Sequence, residues 1–384
     1  MTSISTLLPT YATINLAALA HNHSRIKRYL SPGCEVMAIV KANAYGHGAV
    51  EIAQSLACQG IGQFAVASLD EGIALRQAGL SASIVILGAL FEEQIPDLIA
   101  HRLTPVVSDG RILPTLAKAA HSHRTPYPIH LKVETGMGRL GFSPEELLTV
   151  LDNPLLHSAL HVEGLMTHLA DADGADSAFT EQQLAAFRAM LDQVRLRGLT
   201  LPLVHAANSA AIVRFPAAHF SLVRPGIMLY GYHTLPASIP DPDLRPVLSL
   251  HTTVAQLRTI PKGCSVSYNG TFVAQRQTRI AVLPIGYADG YSRRLSHRGS
   301  VLIQGRRAPI VGLVCMDMIM VDVTDLAPLE VGETVTLIGQ QGKESIWADE
   351  VASWIGTIPY EVLCGIGSRV PRIYESAAPD GRNP

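Results

Sequence analysis

A chain of 384 residues exceeds what one ordinary hydrophobic core supports, so two domains, one of them large, are expected. Its 48% hydrophobic and 16% charged residues exclude a disordered or fibrous chain, and a formal charge of -2 gives no sign of the basic surface that nucleic acid needs. Five scattered cysteines suit reduced thiols in a cytoplasm better than a disulfide framework.

The N-terminus lacks a basic segment followed by an apolar block, so no signal peptide is read, and runs such as Ile84 to Leu90 are too short to span a bilayer. A soluble, cytoplasmic protein is expected. No Cys-x-x-Cys pair or helically spaced histidines suggest a metal, and His121-x-His123 reads as a solvated loop.

In chain order, Tyr11 to Ile14 reads as a short strand and Leu16 to Tyr29 as a helix. Eight short apolar runs follow: Val36 to Val40, Gln63 to Ala67, Ile84 to Leu87, Thr104 to Val107, Ile129 to Val133, His161 to Thr167, Leu203 to Ala206 and Ser221 to Arg224. Helical patterns separate them. In Thr180 to Arg195, Leu184, Phe187, Leu191 and Val194 share one face, and Ser143-Pro144-Glu145-Glu146 has the residues of a capping box. Eight strand-helix units predict an α/β fold, a parallel TIM-type barrel with its active site at the C-terminal strand ends.

Thr234 to Pro246 is rich in proline and polar residues, which sets the domains at 1-240 and 241-384, with residues 1-14 available to pair with the second. That second domain reads as mostly β. Its strands are expected at Val247 to Ile260, Arg279 to Leu283, Val301 to Gln304, Pro309 to Val314, Ile319 to Val323 and Thr334 to Ile338, with one helix near Asp349 to Ile355.

At or just past the barrel strand ends stand Lys41, Lys132, Glu134, Arg139, His168, Asn208, Ser209, Arg224 and Gly226, so charge gathers on one rim. Lys41 closes a wholly apolar run. Desolvation lowers the proton affinity of such an amine and makes it a nucleophile fit for a carbonyl cofactor, although a strand-end lysine also snorkels to solvent. Ser209 reads as a helix cap whose hydroxyl and neighbouring amides could hold a dianion, and Arg224 in its plainest reading is a rim arginine in an ion pair. Gly136-x-Gly138-x-x-Gly141 matches a dinucleotide fingerprint, with Glu163 at a tolerable distance for a ribose contact.

Ala38-Ile39-Val40-Lys41-Ala42-Asn43-Ala44-Tyr45-Gly46-His47-Gly48 resembles the cofactor-lysine motif of the alanine racemases, which hold pyridoxal 5'-phosphate, and further matches run to the C-terminus. Through His205-Ala206-Ala207-Asn208-Ser209 and Arg224-Pro225-Gly226, the resemblance implies cofactor contacts at Tyr45, Leu87, Arg139, His168, Asn208, Ser209, Gly226 and Ile227. Arg224 would face the pyridine nitrogen. Racemisation needs a base on each face of the α-carbon. The resemblance implies Lys41 for one and Tyr268, in Val266-Ser267-Tyr268-Asn269-Gly270, for the other, with His168 and Arg224 as a relay.

In the family that tyrosine reaches the other subunit's active site, which implies a homodimer with shared sites. By the same resemblance Arg139 binds the substrate carboxylate, Lys132 is carbamylated, Met316 offers a backbone amide to the substrate, and Tyr287 lines the entrance. Interconversion of L- and D-alanine, supplying D-alanine for peptidoglycan, is the activity implied.

Three residues depart from the pattern: Ser368 where some members carry a tyrosine, Asn269 where glycine is common and Met318 where glutamine is common. A serine there leaves room for serine or larger amino acids as substrates. The rivals are an NAD-dependent oxidoreductase, a decarboxylase and a non-catalytic pyridoxal-phosphate carrier. The first leaves Lys41 and Tyr268 unexplained, the second does not fit the motifs around Tyr268 and Met316, and the third has no use for a second domain.

Overall fold

A computed structural model describes residues 9-121 and 126-375, so His123 and the first eight residues lie outside it. The chain divides into two compact units. One comprises Ala20–Ala44 and Ala49–Leu244; the other gathers the N-terminal strand, Tyr45–Gly48 and the chain from Arg245 onward.

The first unit is a barrel. The strand β1 (Tyr11–Asn15) precedes it and belongs to the second unit; the barrel strands are β2 (Glu35–Ile39), β3 (Gln63–Val66), β4 (Ser83–Ile86), β5 (Thr104–Val107), β6 (Tyr127–Lys132), β7 (Leu160–Met166), β8 (Leu203–His205) and β9 (Leu222–Val223). They pair in parallel in the order β8-β7-β6-β5-β4-β3-β2-β9. Each of the eight apolar runs forms one of these strands. Their residues are buried on both faces because helices cover the outside and side chains fill the inside, which is why they read as continuous apolar runs rather than alternating ones.

The sheet closes except between β8 and β9. There the Ser221 N–H donates to Val204 O (3.2 Å), the Arg224 N–H to Ala207 O (2.9 Å), and the Val204 N–H to Ser221 Oγ (2.7 Å). From one side of the seam, the wholly buried Tyr230 donates its hydroxyl to Ile39 O at 2.8 Å, tying the chain after β9 to the end of β2.

In the second unit one sheet runs in the order Arg306–Pro309, Ser300–Ile303, Thr334–Gln341, Leu248–Thr253, β1, Arg372–Glu375. β1 pairs antiparallel with Leu248–Thr253 and parallel with Arg372–Glu375. A second sheet joins Gln256–Ile260, Thr278–Leu283 and Ile319–Asp322.

Three expectations are corrected here. The run Val247 to Ile260 is two strands in two different sheets, parted at Val254-Ala255. The strand expected at Pro309 to Val314 lies instead at Arg306–Pro309, because Gly305, with φ +69°, turns the chain back on Ser300–Ile303 and leaves Ile310 only a single bridge to Val321. A second late helix, Pro359–Gly365, follows the expected one, found at Ala348–Ile355.

Ser143 forms the expected capping box on the helix Pro144–Leu151: its hydroxyl accepts from Glu146 N (3.2 Å) and its own N–H donates to Glu146 Oε2 (2.8 Å). Ser143→Ala should therefore cost about 1 kcal/mol, read as a lower urea midpoint with an unchanged slope.

Candidate active site

Lys41 stands two residues past the end of β2, after the fully buried Val40. The four residues after it, Ala42 to Tyr45, all adopt φ of 52-54°, forming a left-handed turn closed by the Ala44 N–H donating to Val40 O (2.9 Å). Each L-residue held so costs about 1–2 kcal/mol, and strain of this kind persists only where neighbours enforce it. Glu71 does so. Its carboxylate accepts from the N–H groups of Ala42 (2.5 Å), Ala67 (2.8 Å) and Ser68 (3.2 Å), while Asn43 Oδ1 accepts from Ala49 N (2.9 Å). Glu71 escaped the sequence reading, though Ser68-x-x-Glu71 is a legible capping box at the head of Leu69–Gln77.

Arg224, only 4% exposed, stands at the end of β9. It donates to Thr167 O (2.8 Å), His205 O (2.8 Å), Ala206 O (3.0 Å), His205 Nδ1 (3.0 Å) and His168 Nδ1 (3.3 Å). Among the described residues no carboxylate pairs with it, so the ion-pair reading of this arginine is corrected. Burial pulls its pKa down to about 9, which leaves it charged at neutral pH.

Lys132, at the end of β6, is buried beside this group. Burial first, then Arg139, Arg224 and Lys41, lower its pKa to about 8 against the opposing pull of Glu134. His168 is held down to about 3 by burial and then by Arg224, Arg139, Lys132 and Lys41, so it is neutral at any working pH. Lys41, Lys132, Arg139, His168 and Arg224 are thus gathered within one another's electrostatic reach.

The glycine-rich loop after β6 is spoken for. Glu134 turns its carboxylate back to accept from the N–H groups of Gly136 (2.6 Å), Met137 (2.5 Å) and Arg139 (3.2 Å), leaving no such amides for a dinucleotide's phosphates. Glu163 is engaged with His130 (3.6 Å), not with a loop that could hold ribose.

Asn208, not Ser209, caps the helix Ser209–Arg214, through its side-chain oxygen and Ala211 N (3.0 Å). Ser209 is instead buried, and its Oγ accepts from Gly226 N (3.0 Å) and Met228 N (3.5 Å), which brings Ser209, Gly226 and Ile227 together. The hydroxyl proton of Ser209 remains to be donated. Leu87 lies half-buried just past β4, with its N–H on Val66 O (2.9 Å).

In the second unit, Tyr268 is 67% exposed on a turn where Ser267 and Asn269 both have positive φ, 70° and 61°. Asparagine tolerates that conformation, which accounts for Asn269 where glycine is common. Tyr268, Met316 and Met318 line one open hollow of about 820 Å³. The loop that brings Met316 and Met318 to it interlocks with two others. The Tyr287 and Ala288 N–H groups donate to Cys315 O (3.1 Å) and Met316 O (3.0 Å), Gly367 N to Asp289 O (2.9 Å), and Arg369 bridges Asp317 (2.9 Å) and Asp289 (3.4 Å). A Cβ on Gly286 would lie 2.2 Å from Met316 O, so that approach requires glycine. Ser368 is exposed on the third loop. Tyr45 is buried with its ring 5.8 Å from that of Tyr360, and burial raises its phenol's pKa.

Basic side chains and a neutral imidazole, with the Glu134 carboxylate beside them given to backbone amides, make a rim that favours anions. A hydroxyl paired with a close glycine backbone, near an amine at a strand tip, is the donor set that a phosphorylated aldehyde requires.

Comparisons with known proteins identify the family. Residues 14-234 match the family model described as alanine racemase, N-terminal domain, and residues 247-374 that described as alanine racemase, C-terminal domain. The chain is 45% identical over 369 residues to the alanine racemase of Carboxydothermus hydrogenoformans, covering 95% of this chain and 99% of that one. Among solved structures, the alanine racemase of Clostridium difficile 630 superposes with a TM-score of 0.91 at 35% identity, covering 96% of each chain. That of Bartonella henselae, described with covalently bound pyridoxal phosphate, does so at 0.87 and 33%, covering 96% of this chain and all of the other. On fold, rim chemistry and sequence together, the chain belongs to the alanine racemase family.

Proposed function

We infer that Lys41 carries the cofactor and one of the two proton transfers in this enzyme, an alanine racemase that uses pyridoxal 5'-phosphate to interconvert L- and D-alanine. The observation that carries the reading is the anion-seeking rim built around Lys41. When bound, the cofactor supplies an electron-withdrawing system that acidifies the α-hydrogen of an attached amino acid. Ser209, Gly226 and Ile227 would hold its phosphate, with Tyr45, Leu87 and Asn208 as further cofactor contacts. Arg224 would face the ring nitrogen and donate a hydrogen bond to it without surrendering a proton. Arg139 binds the substrate carboxylate.

Tyr268 is the base on the opposite face, reached through a homodimer that shares its active sites. A phenol and two methionines exposed around one hollow support a second copy of the chain as what covers this face. His168, held by Arg224, is the relay to that phenol and Arg224 supplies the positive field; Met316 offers its amide to the substrate, and Tyr287 lines the entrance. No helix among the described residues is long and apolar enough to cross a membrane, and five free thiols suit a cytoplasmic enzyme that supplies D-alanine to the cell wall.

Lys41→Ala should abolish both racemisation and the visible absorbance of the bound cofactor. Tyr268→Phe should keep that absorbance while lowering kcat at least about a hundredfold, followed by circular dichroism of alanine. Unchanged turnover in the phenylalanine variant would remove the two-base reading.

Lys132 is the carbamylation site in this reading. Carbon dioxide reacts only with the neutral amine, and a pKa of about 8 takes that form from about a tenth at pH 7 to about nine tenths at pH 9. Occupancy by an added CO2 in bicarbonate should therefore rise over this interval, read by intact-protein mass spectrometry without acid, and be absent from Lys132→Ala.

Ser368 favours a second substrate beside alanine, since a small hydroxyl replaces a ring at the exposed edge of the third loop. Serine turnover relative to alanine should fall in Ser368→Tyr. An unaltered ratio in a substrate panel rules out a role for this position.

A further inference from the structure

Every partner of the buried Arg224 guanidinium is neutral, and only one of them continues into the barrel. His205 Nε2 lies 2.9 Å from His130 Nδ1, with the two rings edge-to-face at 5.0 Å. His130 Nε2 lies 3.6 Å from Glu163 Oε2 and, among the described residues, makes no closer polar contact. Both imidazoles are fully buried, whereas the Glu163 side chain is 31% exposed. Arg224, His205, His130 and Glu163 thus form one row from the rim inward.

The backbone is shaped to admit that row. The β6-β7 pairing slips register between Ile129 and His130, and a Cβ on Gly164 would come within 2.8 Å of the His130 ring, so the ring lies where only a glycine leaves space.

Proton order along the row is forced. A guanidinium only donates, so His205 Nδ1 accepts from it and a neutral His205 carries its proton on Nε2. That proton is given to His130 Nδ1, so His130 in turn carries its own on Nε2, aimed at the carboxylate. Burial and the neighbouring Arg224 push the His205 pKa well down, in keeping with a neutral ring.

We propose that Glu163 and His130 are positioning residues for Arg224. The carboxylate orients His130, and His130 holds His205 as an acceptor for the guanidinium. This rests on the reading of Arg224 as the group facing the cofactor ring. No proton leaves the row: it sets direction.

The first measurement is the nitrogen chemical shifts of the two imidazoles in histidine-labelled holoenzyme at pH 7. Both rings should be neutral with the proton on Nε2; a proton on Nδ1 of either, or a charged ring, overturns the proposal.

The second is kinetic and spectroscopic. Glu163→Leu should lower kcat about tenfold, leave the KM for alanine within about twofold and move the cofactor's absorbance band, as expected when a contact group is misdirected from a distance. Glu163→Gln, whose amide oxygen still accepts the His130 proton, should recover kcat to within about threefold of wild type. Wild-type kcat and band in Glu163→Leu, a change confined to KM, or no recovery with glutamine would each overturn it. His130→Phe should behave as Glu163→Leu does; because that ring is fully buried, the half-exposed position 163 decides the matter should the phenylalanine variant not fold. Arg224→Lys with an unmoved band would instead sink the reading of Arg224 itself, leaving the imidazole shifts to judge the row.

Discussion

A guanidinium taken out of water and given only dipoles and imidazoles is the constraint around which the barrel rim is arranged. Stripping a charge of its solvent without a paired carboxylate is costly, and Arg224 meets that cost with three backbone carbonyls and two histidine nitrogens. Those carbonyls exist because Thr167, His205 and Ala206 lie at the ends of β7 and β8, where the parallel ladder stops and oxygens point toward the rim. The arginine is therefore fixed by the closure of the barrel, and the seam between β8 and β9 is where sheet geometry becomes site geometry.

From that fixed charge the remaining titrations follow. His168 beside it stays neutral, Lys132 loses affinity for its proton, and Lys41 sits in the same positive field. Glu134, the carboxylate that pulls the other way on Lys132, is held by three amides of its own loop. The charge deficit is thus left for anions brought in from outside, which is what a phosphate and a substrate carboxylate are. The left-handed turn after Lys41 is held in a similar way, since Glu71 gives its carboxylate to the strained amide of Ala42 and to those of Ala67 and Ser68.

The eight barrel strands were legible because burial on both faces leaves an unbroken apolar signature, and rim chemistry followed from reading what stood at their ends. The second domain was less so. Val247 to Ile260 is one apolar stretch in sequence, yet it serves two sheets, and nothing local marks the break; the hairpin at Gly305 shifted a strand because a glycine turn outweighs the apolar run after it. Ser209 looked like a cap since it opens the helical pattern, but Asn208 holds that role, and the serine hydroxyl bonds to residues seventeen and nineteen positions later. His130 and His205 passed unremarked for a related reason. A histidine within an apolar strand carries no mark of its purpose until the barrel brings its partner alongside, 75 residues away.

In the proposed arrangement, the guanidinium opposite the cofactor ring is what favours proton exchange over deeper redistribution of charge. A carboxylate facing a pyridine nitrogen can keep that nitrogen protonated, and so let negative charge spread into the ring. Arg224 holds its own proton at neutral pH even with its affinity pulled down by burial, so in the proposed arrangement it donates a hydrogen bond and nothing more. Negative charge then stays close to the carbon that has lost its proton, and a base waiting on either side can return one before other bonds rearrange. A lysine in place of Arg224 would keep the charge but lose the fork that engages Thr167, His205 and Ala206 together, so the planar guanidinium is required for placement as much as for its proton affinity.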